Sequence, residues 1–186
     1  MMAVQNITTQ RLTIRRVAAG DHTAIRAIWA AVKETGYAQY DRPNDLDECA
    51  VAVRIRKWAS FSESEEHMFF AVCLQEAVIG YIALNRRDGG YELGYCFHPA
   101  YHGMGYAKES IGAVLNTVGS MGVHQIEAGT ALANTPSVRL LKALGFVMTG
   151  TEEVSFFRDA FGNDIFFSGG LFELTLQKEF PNAQYQ

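Results

Sequence analysis

The middle of the chain runs from a strand through a glycine-containing loop and a helix into a second strand. The first strand is predicted at 91–97 and ends at Pro99. An apolar stripe that begins at Ala107 then predicts an amphipathic helix, which Gly122 is suited to end. A further strand is predicted at 123–128. Because strands joined through a helix run parallel, this segment predicts one parallel pair in a sheet.

The segment before it predicts an antiparallel meander. Apolar runs at 67–73 and 78–84 precede the strand at 91–97. The connections are short, and the second, at 87–90, contains two consecutive glycines. Two short connections in succession indicate neighbouring antiparallel strands.

The remaining elements complete a mixed α/β chain. They are a strand at 11–15, a helix capped by Asp21, a helix from Leu46 to about Ser60 with apolar positions Leu46, Ala50, Val53 and Trp58, a helix capped by Asn134 that stops at Gly145, and two strands within 146–180 joined at 161–164. We expect one domain over 1–186, with its core at about 9–180.

Composition argues against several function classes. The formal charge is −4 and the basic residues form no concentrated face, which argues against nucleic-acid binding. Cys49, Cys73 and Cys96 are scattered, which argues against a disulfide framework or zinc site, and His98 and His124 match no metal spacing. The N-terminus lacks a signal core, and no apolar run approaches the roughly 18 residues of a membrane span. We expect a cytoplasmic protein without metal, membrane or nucleic-acid partners.

The loop His102-Gly103-Met104-Gly105-Tyr106-Ala107, called the glycine loop below, has the properties of a phosphate site. It precedes a helix, whose first N–H groups are unpaired and whose dipole attracts anions. Its glycines allow the backbone to approach a phosphate closely. The Walker pattern is absent before Lys108, and Lys108 stands where the dinucleotide fingerprint needs a third glycine. The loop by itself indicates an anion site with its ligand unassigned.

The same loop resembles the cofactor motif of the GNAT N-acetyltransferase family, Q/R-x-x-G-x-G/A, with His102 in the first position. A second block of that family, N-x-x-[A/S] running to a terminal G-F, is matched by Asn134, Ser137, Gly145 and Phe146. The resemblance covers essentially the whole chain. It implies the GNAT fold, a twisted and mostly antiparallel central sheet with one splayed parallel strand pair and flanking helices.

Within the family, the surroundings of the two blocks look most like the RimJ/RimL-like branch, which acetylates N-terminal amines of ribosomal proteins. The matching features are the contexts at 94–95 and 98–99, the run at 105–109, and Ser137. The acceptor implied is a primary amine, either a peptide N-terminus or a small molecule. The resemblance implies an acceptor groove near Trp29, Tyr37 and Tyr40, although core or loop packing also explains these three residues. The expected assembly is a monomer or homodimer.

Acetyl-CoA is the acyl donor that the resemblance implies. The residues implied to bind it are Phe97, His98, His102, Gly103, Met104, Gly105, Tyr106, Ala107, Lys108, Asn134 and Lys142. The loop N–H groups would hold the pyrophosphate, with a ring donor from His102. The edge at 97–98 would pair with the pantetheine amides, which requires the parallel strands to splay apart. Helix capping also explains Asn134, and simple solvent exposure also explains Lys142.

Glu92 is the candidate general base. It is predicted on the face of its strand opposite Leu93, near the splayed end, where it would take the proton of the attacking amine. Glu127 and Glu173 are rivals, and a solvent-exposed strand carboxylate is the plain alternative.

Ser137 is the candidate acid, by resemblance to the same branch. Many family members have a tyrosine four residues later as the thiolate donor, and this chain has Leu141. Ser137, Tyr106 or water therefore remain open as the donor, and a first-turn serine bonded to backbone is the structural alternative. The functions that follow are an N-acetyltransferase, a non-catalytic acyl-CoA-binding module of the same fold, or a binder of a different phosphate ligand.

Overall fold

The computed structural model describes residues 6–61 and 63–176, within which the chain forms eight strands and four α-helices. The strands are β1 (Ile7–Thr8), β2 (Leu12–Arg16), β3 (His67–Leu74), β4 (Ala77–Arg87), β5 (Gly90–Phe97), β6 (Gln125–Ala131), β7 (Val147–Arg158) and β8 (Asp164–Thr175). The helices are α1 (His22–Lys33), α2 (Glu48–Ser60), α3 (Tyr106–Ser120) and α4 (Thr135–Ala143). Three short 3-10 turns lie at Ala19–Asp21, Ala38–Tyr40 and Pro99–Tyr101.

All eight strands form one sheet in the order β1-β2-β3-β4-β5-β6-β8-β7. Neighbouring strands are antiparallel except β5 and β6, which α3 connects and which run parallel. The predicted mixed α/β class, with a mostly antiparallel sheet and one parallel pair, is confirmed.

The parallel pair separates after two residues. Its only register pairs in the described chain are Tyr91–Ile126 and Glu92–Glu127, at the start of both strands. Farther along, β5 remains paired with β4, and β6 with β8. The two strands therefore diverge and leave a gap between 93–97 of β5 and 128–131 of β6, called the splay below.

The sheet has a core on each face, as the alternation of side chains along β3 shows. Met68, Phe70 and Val72 belong to one core, whereas Phe69 and Ala71 belong to the other. The first core is covered by α3 and α4, and the second by α1 and α2. Full burial of one such large apolar side chain contributes about 1.5–3 kcal/mol, so both faces hold the sheet in place.

Two local predictions were wrong. Asp21 does not cap α1; its carboxylate accepts both terminal N–H groups of Arg15 at 2.8 Å and the N–H of Ala18. Charged donors outcompete a single helix N–H for this carboxylate. In α2, Val53 is 63% exposed because the inward stripe is formed by Val51 and Ile55 instead.

The ends of the predicted domain are only partly described. The last strand, predicted within 146–180, ends at Thr175, and 177–180 lie outside the described residues, as do 1–5. Within the described ranges, the longest helix has 15 residues, and none has the length and hydropathy needed to cross a membrane.

Candidate active site

The glycine loop has a backbone conformation that depends on its glycines. Gly103 and Gly105 have φ of +75° and +79°, a region that residues with a Cβ enter only with strain. Gly105 is the N-cap of α3, without a side-chain hydrogen bond to the helix start. The first helical bond runs from Glu109 N to Gly105 O, so the N–H groups of 106–108 have no helical acceptor. These groups, at the positive end of the helix, suit a phosphate.

Arg11, just before β2, braces this loop. Its Nη1 donates to Met104 O at 3.0 Å, and its Nε and Nη2 lie 2.7 and 2.6 Å from Glu109 Oε2. Its guanidinium also lies 4.4 Å from the ring centre of Tyr106. Glu109 also accepts from Thr9 Oγ1 at 2.6 Å. Although partial desolvation opposes it, hydrogen bonds from Thr9 and Arg11 lower the pKa of Glu109 below its usual value.

The two histidines beside the loop bind backbone atoms. His102 Nε2 donates to Phe97 O at 2.9 Å. His98 Nδ1 accepts from Ala100 N at 3.2 Å and so caps a 3-10 turn. A phosphate contact from His102 would therefore fall to Nδ1, which donates only when the imidazole is protonated.

The backbone of Phe97 faces the splay. His98 N donates to Ile79 O at 2.9 Å, on the β4 side of the strand. Because consecutive residues of a strand direct their backbone groups to opposite edges, the N–H and C=O of Phe97 point to the β6 side. The carbonyl accepts from His102, and the N–H is directed into the splay. Of the predicted pair 97–98, only Phe97 thus offers an N–H to a molecule in the splay.

A pair of hydroxyls joins β5 to α4 across the splay. Tyr95 Oη and Ser137 Oγ are 2.7 Å apart. Ser137 lies in the first turn of α4, where Asn134 Oδ1 accepts its N–H at 3.4 Å, as the predicted capping role requires. Desolvation, opposed by the hydrogen bond to Ser137, raises the pKa of Tyr95 to about 12. The phenol therefore remains protonated and able to donate at neutral pH.

The partner of Ser137 is Tyr95, which the sequence did not indicate. The Ser137 hydroxyl binds Tyr95, rather than backbone as in the plain alternative. Leu141 is fully buried in the core. Tyr106 stacks with Arg11 and packs 6.4 Å from the ring of Tyr101.

A cleft of about 550 Å³ reaches Tyr95 from the segment between α1 and α2. Its aromatic lining residues are Trp29, Tyr81, Tyr95, Phe156 and Phe157. Trp29 Nε1 donates to Tyr81 Oη at 3.1 Å, which fixes one wall. Of the three residues named for the acceptor groove, Trp29 lines this cleft, whereas Tyr37 and Tyr40 are not among its lining residues.

The charged lining residues of this cleft are Lys33, Asp41 and Arg42. Arg42 lies 5.4 Å from the ring centre of Phe156. Among the described residues, the Asp41 carboxylate neither accepts a hydrogen bond nor forms an ion pair. Partial desolvation raises the pKa of Asp41, although the residue is exposed to solvent. Desolvation first, and then the charge of Asp41, raise the pKa of the Cys96 thiol to about 12.

Glu92 is the last residue of β5 that pairs with β6, so it lies where the splay begins, and its role as the base stays a prediction. Glu92 is opposite Glu127, which is opposite Glu173, so the predicted base and both rivals form one row across the sheet. Glu92 also forms an ion pair with Arg87. At about 3.3 Å per residue, Phe97 is about 17 Å away along the strand. Sequence pattern does not show where two parallel strands separate.

Lys142 is exposed in the last turn of α4, and no ion pair joins it to another described residue. The structure thus brings the glycine loop, Phe97 and Ser137 around the splay, and Glu92 lies where the splay begins, in an ion pair with Arg87.

Three site residues were missed by sequence reasoning. Tyr95 is a hydroxyl within an apolar strand face, and a buried phenol needs a partner, which was the available signal. Asp41 sits in a loop without periodicity, so no pattern singled it out. Arg11 gave no signal, because its loop contact is 93 residues away in sequence.

Comparisons with known proteins agree with this geometry. Residues 11–147 match the family model described as acetyltransferase (GNAT) domain. Uncharacterized N-acetyltransferase p20 of Bacillus licheniformis is 25% identical over 151 residues, which are 79% of this chain and 85% of the relative.

Two solved structures show the same fold. Ribosomal-protein-S5-alanine acetyltransferase of Vibrio fischeri has a TM-score of 0.77 at 16% identity, covering 95% of this chain and 99% of its own. Spermidine N-acetyltransferase of Vibrio cholerae, in complex with CoA and spermine, has a TM-score of 0.71 at 21% identity, covering 91% and 98%. Because the family model spans most of the sequence, the prediction from the two motif blocks is confirmed, and the chain belongs to the GNAT acetyltransferase family.

Proposed function

We propose that the chain transfers an acetyl group from acetyl-CoA to a primary amine by direct attack in a ternary complex. The observation that carries the proposal is the Tyr95–Ser137 hydroxyl pair at the splay, because it joins the two halves of a bisubstrate site. On one side lies the glycine loop, suited to a pyrophosphate. On the other side lies the cleft, which Tyr95 also lines and which has room for an acceptor.

Different residues of the chain then have different roles in acyl transfer. The loop N–H groups and the positive end of α3 hold the donor's pyrophosphate. The Phe97 N–H, directed into the splay, pairs with the extended arm of the donor or with the oxygen on which charge develops. When bound, acetyl-CoA supplies an activated acyl thioester. Holding it beside the amine supplies much of the rate through positioning.

Protons move by two routes, one through solvent in the cleft and one through the Tyr95 and Ser137 hydroxyls. The amine lone pair forms the new C–N bond as the C–S bond breaks, and the nitrogen proton leaves through solvent in the cleft. Ser137 donates a proton to the departing sulfur and recovers one from Tyr95, which solvent reprotonates. This scheme gives Glu92 no step, because its carboxylate forms an ion pair with Arg87.

An acyl-enzyme route through Cys96 is disfavoured by its electrostatics. With a thiol pKa of about 12, only about one molecule in 10⁵ carries the thiolate at pH 7. Direct attack needs no such nucleophile.

The test compares Ser137→Ala with a matched control, Ser120→Ala, in which an exposed helical serine bonded only to Thr117 O is removed. We expect Ser137→Ala to lower kcat at least tenfold while acetyl-CoA affinity, measured by calorimetry, stays within about twofold. Ser120→Ala should leave both unchanged. If acetyl-CoA binds but no amine releases thiol from the parent protein, the chain is the non-catalytic acyl-CoA-binding module instead.

A further inference from the structure

The cleft beside Tyr95 has an unusual charge arrangement. Among the described residues that line it, Asp41 is the one carboxylate, and the two cations are Lys33 and Arg42. Lys33 is in the last turn of α1, and Arg42 extends over Phe156 on β7. Asp41 has no hydrogen-bond or ion-pair partner among the described residues, although both cations line the same cleft. Asp41 is solvent-exposed, so water hydrates its free carboxylate, and a ligand that brings a cation into the cleft can replace part of that water.

Asp41 is also close to the reaction site. Its negative charge acts on the Tyr95 and Tyr81 hydroxyls and on the Cys96 thiol, the groups that form the cleft floor on β4 and β5. Tyr95 is in turn hydrogen-bonded to Ser137. An ammonium group bound at Asp41 would therefore share the cleft with the Tyr95 hydroxyl.

We propose that Asp41 binds the ammonium group of the acceptor, which loses one proton to solvent before it attacks, and that the acceptor is a monoamine with a single positive charge and an apolar or aromatic body. The inference rests on the proposed acetyl transfer and narrows its substrate class. The aromatic walls formed by Trp29, Tyr81 and Phe157 receive the apolar body and favour a cation near their faces.

The same charges disfavour polyamines. A polyamine needs a carboxylate for each ammonium group, whereas this cleft offers one carboxylate and presents two cations to the rest of the ligand. A peptide N-terminus and a small arylalkylamine share the required chemistry, since each brings one ammonium group next to an apolar segment.

A substrate panel tests the class. The arms are phenethylamine, a peptide amide with a free apolar N-terminal residue, and spermidine, each with saturating acetyl-CoA. We expect kcat/KM for phenethylamine or the peptide to exceed that for spermidine by at least tenfold, about 1.4 kcal/mol. Equal or higher kcat/KM for spermidine overturns the inference without affecting the proposed acetyl transfer.

Asp41→Asn tests whether Asp41 binds the amine, with Asp45→Asn as the matched control. Asp45 is in the same loop and accepts the Asp47 N–H, which asparagine can also accept. For the preferred amine, Asp41→Asn should raise KM about tenfold or more and leave the KM for acetyl-CoA unchanged. Asp45→Asn should change neither. An unchanged amine KM in Asp41→Asn contradicts the inference.

A binding measurement separates this inference from the catalytic proposal. Trp29 lines the cleft, so phenethylamine added without acetyl-CoA should change the tryptophan fluorescence, with a dissociation constant that rises about tenfold in Asp41→Asn. If no amine is acetylated but the fluorescence change is present, the proposed acetyl transfer is wrong and the proposed amine site is supported. If the titration is the same in both proteins, the amine site fails.

Discussion

Replacing Gly103 with alanine separates a cofactor loop from an ordinary structural turn. Gly103 has φ +75°, and an added Cβ would meet no atom within 4 Å, so the substitution brings backbone strain without a steric clash. A left-handed conformation costs a residue with a Cβ about 1–2 kcal/mol. If the loop relieves this strain by leaving its binding conformation, the dissociation constant for acetyl-CoA should rise by about 5- to 30-fold.

Gly122→Ala is the matched control. Gly122 follows α3, has φ +93°, and is equally open around an added Cβ. It lies at the opposite end of a helix of 15 residues, about 22 Å from the loop. We expect a similar loss of melting temperature in both variants, but a loss of acetyl-CoA affinity only in Gly103→Ala. Gly105→Ala should lose more, because its Cβ would also lie 3.3 Å from Arg11 Nη2.

Isothermal titration calorimetry with acetyl-CoA, at a temperature where all variants are folded, gives the comparison. Unchanged affinity in Gly103→Ala, or an equal loss in Gly122→Ala, would refute the assignment of the loop.

Two further predictions concern pH. The Tyr95 pKa rises from about 10 in the unfolded chain to about 12 in the fold, so its contribution to stability is complete below about pH 10 and is lost toward pH 12. Thermal melts from pH 8 to 11 should fall less steeply in Tyr95→Phe than in the parent; parallel curves would contradict this. The Glu109 pKa is lowered, so its contribution is present at neutral pH and is lost as pH falls below about 4.5. Glu109→Gln should therefore be about 1 kcal/mol less stable than the parent at pH 7, and the two proteins should become similar in stability as the pH is lowered below about 4.5. A difference in stability that persists in acid would show that charge does not stabilise the contact between Arg11 and Glu109.

Local signals account for the parts of the fold that the sequence predicted. Apolar alternation placed β3, β4 and β5, and the strand–helix–strand order gave the parallel pair. The Asn134 cap was predictable because its hydrogen bond to Ser137 N spans only three residues. The glycine loop was predictable for the same reason, since its residues are contiguous.

The site was harder to predict, because its contacts are long-range. Ser137 was named, but its partner Tyr95 is 42 residues away, and only the splay brings the two together. Glu92 was predicted near the splay and lies where it begins, but the exact point where β5 leaves β6 depends on register, which side-chain pattern does not encode. Asp41 belongs to a loop whose position relative to the sheet is fixed by α1 and α2.

The most direct test of acetyl transfer is a thiol-release assay in which the intact protein and the amine are both analysed by mass spectrometry. The account predicts that thiol release requires an amine, that the acetyl group is found on the amine, and that the protein mass is unchanged in both the parent and Cys96→Ala. Acetylation of the protein at Cys96, or acetyl-CoA binding without transfer to any amine, would contradict it.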